Sequence, residues 1–143
     1  MFSKKSCLLL FLFVMLSVGT RAQDIVGTWK TIDDGDGKER SIVEIYKQGD
    51  AYFGKITKIF YRPDEKENSV CELCTDDRKN QKTLGMVILR NLKRKGDEFK
   101  EGNILDPQNG KVYDCKLWVE NGSLKVRGYI AFLYRTQTWY RAN

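Results

Sequence analysis

The chain has 143 residues, 25 of them basic and 19 acidic, and it contains no histidine. That length is one domain's worth. The lack of histidine removes Ser-His-Asp and Cys-His catalysis, histidine-based zinc hydrolysis and histidine proton shuttling together.

The N-terminus reads as a targeting segment. Lys4 and Lys5 form a positive start, Cys7 to Val18 is apolar apart from Ser17, and Thr20-Arg21-Ala22 places small residues at the last and third-last positions. This is the pattern of a secretory signal peptide over residues 1–22, cleaved between Ala22 and Gln23. An uncleaved anchor is the weaker alternative, since the apolar run is shorter than the ~20 residues a helical span needs; no stable membrane span is expected. No cysteine stands at the end of the run, so a lipoprotein is not expected. Losing Lys4, Lys5 and Arg21 takes the net charge from +6 to +3, which gives no case for nucleic acid as a partner. The expected destination is the periplasm or the exterior.

The mature domain, residues 23–143, opens with a short strand, Ile25-Val26-Gly27-Thr28-Trp29-Lys30-Thr31, broken by the turn formers Asp33-Asp34-Gly35-Asp36-Gly37-Lys38. A second strand covers 41–47, and after a Gln48-Gly49-Asp50 turn a third covers 51–60, with Gly54 marking a bulge or bend. From Tyr61 to Leu84 the alternation stops in a long polar excursion holding Cys71 and Cys74. Loops of that length are uncommon in compact domains and are usually functional or tied down.

Strands resume over 86–92 and 98–105, separated by Lys95-Gly96-Asp97. Asp106-Pro107-Gln108-Asn109-Gly110 is a hairpin turn into 111–119, where Tyr113, Cys115, Leu117 and Val119 share a face. Glu120-Asn121-Gly122-Ser123 turns into the final pair, Leu124–Phe132 and Arg135–Arg141. Eight strands joined mostly by hairpin turns, with no amphipathic helix, predict an all-β fold: a single eight-stranded antiparallel up-and-down barrel. Such a barrel is either filled by its own side chains or holds one small ligand.

Gly27-Thr28-Trp29 near the start and Arg141 near the end resemble the Gly-x-Trp and arginine pairing of lipocalin-like barrels. A more specific resemblance runs through seven blocks in order. They are Gly27-Thr28-Trp29, Tyr52-Phe53-Gly54-Lys55-Ile56, Gly85-Met86-Val87-Ile88-Leu89, Gly102-Asn103-Ile104-Leu105-Asp106-Pro107, Asn109-Gly110-Lys111-Val112-Tyr113, Val126-Arg127-Gly128-Tyr129-Ile130 and Arg135-Thr136-Gln137-Thr138-Trp139. Together they closely resemble the bacterial domain-of-unknown-function family 2147. The resemblance implies a lipocalin-like, calycin-type barrel and leaves activity open. In that family the link between Tyr129 and Arg135 is often longer and richer in glycine than the Ala131-Phe132-Leu133-Tyr134 found here. By the same resemblance Gly27, Trp29, Trp139 and Arg141 are barrel-closure residues, with Trp29 and Arg141 in cation–π contact.

Cys71-Glu72-Leu73-Cys74 has the spacing of a redox pair, but it lacks the strand-helix-strand setting that lowers a thiol pKa. A zinc site would need Asp76 or Asp77 as a fourth ligand beside three cysteines. A structural disulfide pinning the long loop is the preferred reading, with Cys71 and Cys74 the candidate pair; a bridge from the loop to Cys115 is the alternative, and a buried free Cys115 thiol is the simpler expectation. Asp33, Asp34 and Asp36 begin like a calcium loop, yet Lys38 stands where a ligand belongs, so a solvated turn is preferred. Arg90, Lys93, Arg94, Lys95 and Lys100 read as a charged, soluble edge, with weak affinity for anionic lipid or polysaccharide as the alternative. No metal or cofactor is expected.

The candidate ligand-binding residues are Arg127, Tyr129, Gln137 and Tyr113, against a structural reading in which the last strands form an end plug. Arg127 and Tyr129 share one face by strand alternation, as do Gln137, Trp139 and Arg141. An inward arginine would need a carboxylate such as Glu44 or Asp114. The favoured function is an exported, lipocalin-like barrel of the bacterial envelope binding a small, partly apolar ligand. The alternative is a non-catalytic envelope protein that meets an unknown protein partner through loop 61–84. An enzyme is the least favoured reading.

Overall fold

The computed structural model describes residues 23–142, so the leader expected over 1–22 lies outside the described residues. Its eight strands are β1 (Gly27–Ile32), β2 (Glu39–Gln48), β3 (Ala51–Ile59), β4 (Val87–Lys95), β5 (Glu98–Asp106), β6 (Lys111–Glu120), β7 (Ser123–Ile130) and β8 (Leu133–Arg141). Each pairs antiparallel with the next, and β1 pairs with β8 to close the barrel. No helix long and apolar enough to cross a membrane occurs among the described residues.

Strand alternation decides what is inside. On β2, Ser41, Val43 and Ile45 are buried while their neighbours are half-exposed, and on β7 Leu124 and Val126 are buried. Gly54 sits where the β3–β4 register slips. A Cβ there would lie 2.9 Å from Leu89 Cδ1 and 3.1 Å from Val43 Cγ1, so the bend needs a residue without a side chain.

The two ends differ. At one end the strands join through Gly49-Asp50, Gly96-Asp97 and Asn121-Gly122, and the interior is solid. Trp29, Phe99, Leu92, Leu117, Leu124 and Trp139 are all at most 2% exposed there. Each such side chain contributes roughly 1.5–3 kcal/mol by leaving water. The N-terminal segment folds beneath this plug, with Ile25 buried and its carbonyl accepting from Trp29 Nε1 at 2.8 Å.

At the other end lie the 33–38 turn, the 60–86 connection, the 107–110 turn and a two-residue turn at Ala131-Phe132. That last turn departs from the sequence expectation of strand through Phe132. Ile130 pairs with Leu133, and Ala131 takes the left-handed backbone (φ 52°) that a two-residue hairpin requires.

The long connection is a strap laid across the mouth, held at three places. Arg40 and Arg62 hold its start, through Glu65 at 2.7 Å and Asp36 at 3.0 Å. Cys71 and Cys74 form a disulfide, both sulfur-bearing residues being buried against the 107–110 turn. Gly110 is required at that contact: its φ is +71°, and a Cβ would lie 2.1 Å from the Leu73 carbonyl oxygen. Farther on, Arg78 (4% exposed) pairs with Asp76 and donates to the Val87 carbonyl at 2.9 Å, while Arg90 grips Asp77 with two hydrogen bonds. Cys115 is a buried free thiol on β6.

Candidate functional site

Above the aromatic plug the barrel is hollow. The cavity has a volume of about 840 Å³ and opens between the 33–35 turn, the strap, the 107–109 turn and the β7–β8 hairpin. That volume falls within the range of small-molecule sites, roughly 300–1,000 Å³. Its depth is apolar, with Ile56, Ile88, Leu105, Val126 and the Trp139 ring all 5% exposed or less. Gly128 faces the same space, and its nearest side-chain neighbours are in ordinary contact at 3.6 and 4.0 Å.

Polar groups occupy one side. Thr31 and Ser41 face inward across the β1–β2 pair and share a buried hydrogen bond of 2.7 Å. A second chain of bonds climbs from the floor to the rim: Trp139 Nε1 donates to Gln137 Oε1 (3.1 Å), and Gln137 Nε2 donates to Asp34 Oδ2 (2.7 Å). Arg135 also reaches Asp34 Oδ2, at 2.7 Å. This chain lies where the backbone seam is incomplete. Only Trp29↔Arg141 and Lys30↔Tyr140 pair between β1 and β8, so above Lys30 the two edges are joined by Asp34 and its partners.

The rim carboxylates with shifted pKa values are both held ionised. A hydrogen bond from Arg40, helped by the Arg62 backbone N–H at 2.9 Å, lowers Glu65 below its usual range, though its burial opposes this. Backbone N–H groups of Gly35 and Asp36 do the same for Asp33, which anchors the turn that had resembled a calcium loop. Carboxylates stabilised as anions are weak proton acceptors, the reverse of what general acid–base work asks for. Among the described residues there is no cluster of metal-ligating side chains.

The structure separates the four candidate ligand residues. Gln137 and Tyr113 line the cavity, and the Tyr113 hydroxyl accepts from Asn109 at 3.0 Å. Arg127 and Tyr129 lie on the outer face, because inward-facing Val126 and Gly128 alternate with them on β7. Arg127 donates to Thr136 at 2.9 Å and stacks on Tyr134 (4.2 Å) and Trp118 (4.9 Å), so it needs no buried carboxylate. Of the closure residues, Trp29 and Arg141 stack at the solid end, Gly27 lies against the Arg141 guanidinium, and Trp139 is both plug and cavity floor.

The basic β4–β5 hairpin is largely neutralised: Arg90 meets Asp77, Lys93 meets Asp50, Lys95 meets Glu101 and Lys100 meets Glu98. Sequence reasoning overlooked Thr31, Ser41, Asp34 and Arg135 as cavity residues. The signal for three of them was present, since Thr31 is two residues from inward Trp29, Ser41 two from Val43, and Arg135 two from Gln137.

Residues 27–141 match the profile of DUF2147, described as an uncharacterized protein conserved in bacteria. The chain belongs to that family. Among solved structures, this DUF2147 barrel is similar to protein HP1028 from the human pathogen Helicobacter pylori, which belongs to the lipocalin family. The two share 18% identity over 84% of each chain, with a TM-score of 0.70, which establishes the lipocalin-like fold. A mutant of the fluorescent protein UnaG aligns over 83% of this chain and 96% of its own, at 18% identity and a TM-score of 0.47. No curated protein is similar enough in sequence to count as a match.

Proposed function

We propose that this DUF2147 chain is an exported binding protein of the bacterial envelope whose barrel holds a small, partly apolar ligand. The observation that carries the reading is the cavity of about 840 Å³, apolar at depth and polar along the Thr31, Ser41, Gln137 side. An apolar wall drives burial of the ligand body, while a few fixed donors and acceptors orient one polar group. Export is supported by the leader-like N-terminus and the Cys71–Cys74 disulfide. A non-catalytic role is supported by the lack of histidine and by rim carboxylates held as anions. The strap supplies Tyr61, Glu65 and Ser69 to the cavity lining, which favours a part in ligand enclosure over a role as a free contact surface.

The test uses Gly128→Met. A Cβ there meets no atom closer than 3.6 Å, and Gly128 lines the hollow, so a longer side chain has that space to fill. Wild-type protein is expected to bind an environment-sensitive apolar fluorophore or to carry a co-purified small molecule in native mass spectrometry. Gly128→Met should keep its melting temperature and lose fluorophore affinity by about tenfold or more. Neither fluorophore binding nor a bound molecule in the wild type, or equal binding by both proteins, refutes the proposal.

A further inference from the structure

The β7–β8 hairpin carries an exposed apolar tip. Phe132 is 90% exposed, Leu133 63%, Tyr134 62% and Ile130 58%. The other two-residue turns, Gly49-Asp50, Gly96-Asp97 and Asn121-Gly122, are small and polar and lie at the opposite end. An apolar group of this size, concentrated at one point and covered by nothing among the described residues, marks a contact site.

Its surroundings are layered along the hairpin. Behind the tip comes a tyrosine pair, Tyr129 and Tyr134, paired across the strands with ring centres 6.2 Å apart. Behind the tyrosines come cations: Arg127 over Tyr134 and Trp118, Lys116 over Trp118, and Lys125 bonded to Thr138. Three acids share this region: Asp114 pairs in register with Tyr129, Glu98 forms an ion pair with Lys116, and Glu120 accepts from Trp118 Nε1 at 3.4 Å, so the charged layer is mixed and balanced. Hydrocarbon side chains, then amphipathic aromatics, then charged groups is the order of environments met on leaving a bilayer core through its interface to its phosphates.

We infer that this hairpin docks the barrel on a lipid bilayer, with Phe132 and Leu133 entering the acyl boundary, Tyr129 and Tyr134 in the interface, and Arg127, Lys116 and Lys125 within reach of the phosphates. The layering favours a bilayer over a protein groove, which has no reason to grade from apolar through aromatic to charged along one axis. Ile130 and Leu133 belong both to the tip and to the cavity wall, so a docked barrel presents its mouth to the membrane surface. Docking does not require that the cavity be loaded.

The test uses protein purified from cells expressing the full 143-residue chain, with its N-terminus fixed by mass, and vesicles of phosphatidylethanolamine and phosphatidylglycerol. The wild type is expected to float with the vesicles. Phe132→Asp should weaken partitioning by about tenfold or more, and Arg127→Gln by about fivefold at low salt. Phe132→Trp should give a blue-shifted emission, quenched by lipids brominated on their acyl chains, over the signal of the parent protein. Phe132 does not line the cavity, so Phe132→Asp should leave fluorophore binding in the barrel unchanged, which separates this test from that of the binding reading. Wild type that does not float, Phe132→Asp that floats equally, or a wild-type dimer that Phe132→Asp dissolves without any vesicle binding each overturns the inference.

Discussion

The Arg141 guanidinium lies 4.0 Å from the centre of the Trp29 ring and donates to the Val26 and Asp24 carbonyls at 3.1 Å each. The last strand thereby clamps the first strand and the segment before it. Gly27 completes the clamp: with φ at +133° and a Cβ position 2.6 Å from Arg141 Nη1, it leaves the guanidinium room to lie flat. The cation–π contact contributes about 1 kcal/mol and the two hydrogen bonds a similar amount.

Arg141→Ala is therefore expected to cost about 2 kcal/mol in urea unfolding. Gly27→Ala should cost about as much, part from backbone strain and part from displacing Arg141. Because the displaced group is absent in the double variant, its cost should fall short of the sum by about 1 kcal/mol. Strict additivity would mean that Gly27 and Arg141 act separately.

Above this clamp the β1–β8 seam depends on side chains. Asp34 accepts from both Gln137 and Arg135, where backbone pairing has already ended at Lys30. Asp34→Ala removes one half-exposed ion pair and one hydrogen bond, together worth about 1 kcal/mol. The expected effect is kinetic: fluorophore entry and release both quicken by about threefold to tenfold in stopped flow, with affinity changing less. Unaltered rates would show that the seam does not limit access.

Much of this architecture was legible beforehand. Turn chemistry at Gly49-Asp50, Asn109-Gly110 and Asn121-Gly122, together with period-two alternation, set the strand count, because those local signals act over a few residues. The outward position of Arg127 was not legible. Alternation groups it with Tyr129 but does not say which group faces in, and that is decided by Val126 packing beneath the mouth and by Gly128 having no side chain to present. The strap was equally opaque. Its order comes from long-range partners, Glu65 with Arg40 and Cys71 with the Pro107 carbonyl, which no local pattern encodes.

The strap's chemistry can be counted. Burial pushes the Cys115 thiol up to about 12, so it presents almost no thiolate, and Cys71 and Cys74 are joined. Alkylation of native protein should modify none of these three cysteines, alkylation after unfolding only Cys115, and reduction with unfolding all three. Gly110→Ala places a methyl group against the Leu73 carbonyl in a left-handed backbone, and should cost about 2 kcal/mol. Its mass-mapped proteolysis should show new cuts within residues 60–86. A strap as protease-resistant as the wild type's would mean that the Gly110 contact is not what seats it.

Asp76 gives the fold an acid limit. Hydrogen bonding from Arg78, aided by the Arg78 backbone N–H and opposed by partial burial, lowers its pKa to about 2 from 3.8. A depressed carboxylate pKa stabilises the folded state above the unfolded value near 4, and that contribution is lost as pH falls toward 2, because the unfolded chain then binds the proton first. The Asp76 side chain is 34% exposed, so solvent screening reduces the contribution to about 1 kcal/mol. Removing it is costlier than neutralising it in acid, since Arg78 is 4% exposed and would keep its charge with the Val87 carbonyl as its remaining hydrogen-bond partner among the described residues. Asp76→Ala should therefore lose about 2 kcal/mol at pH 7 and show a shallower decline between pH 4 and pH 2 than the wild type in urea-melt midpoints. Parallel declines for the two proteins would show that the Asp76–Arg78 pair is not a source of the acid sensitivity.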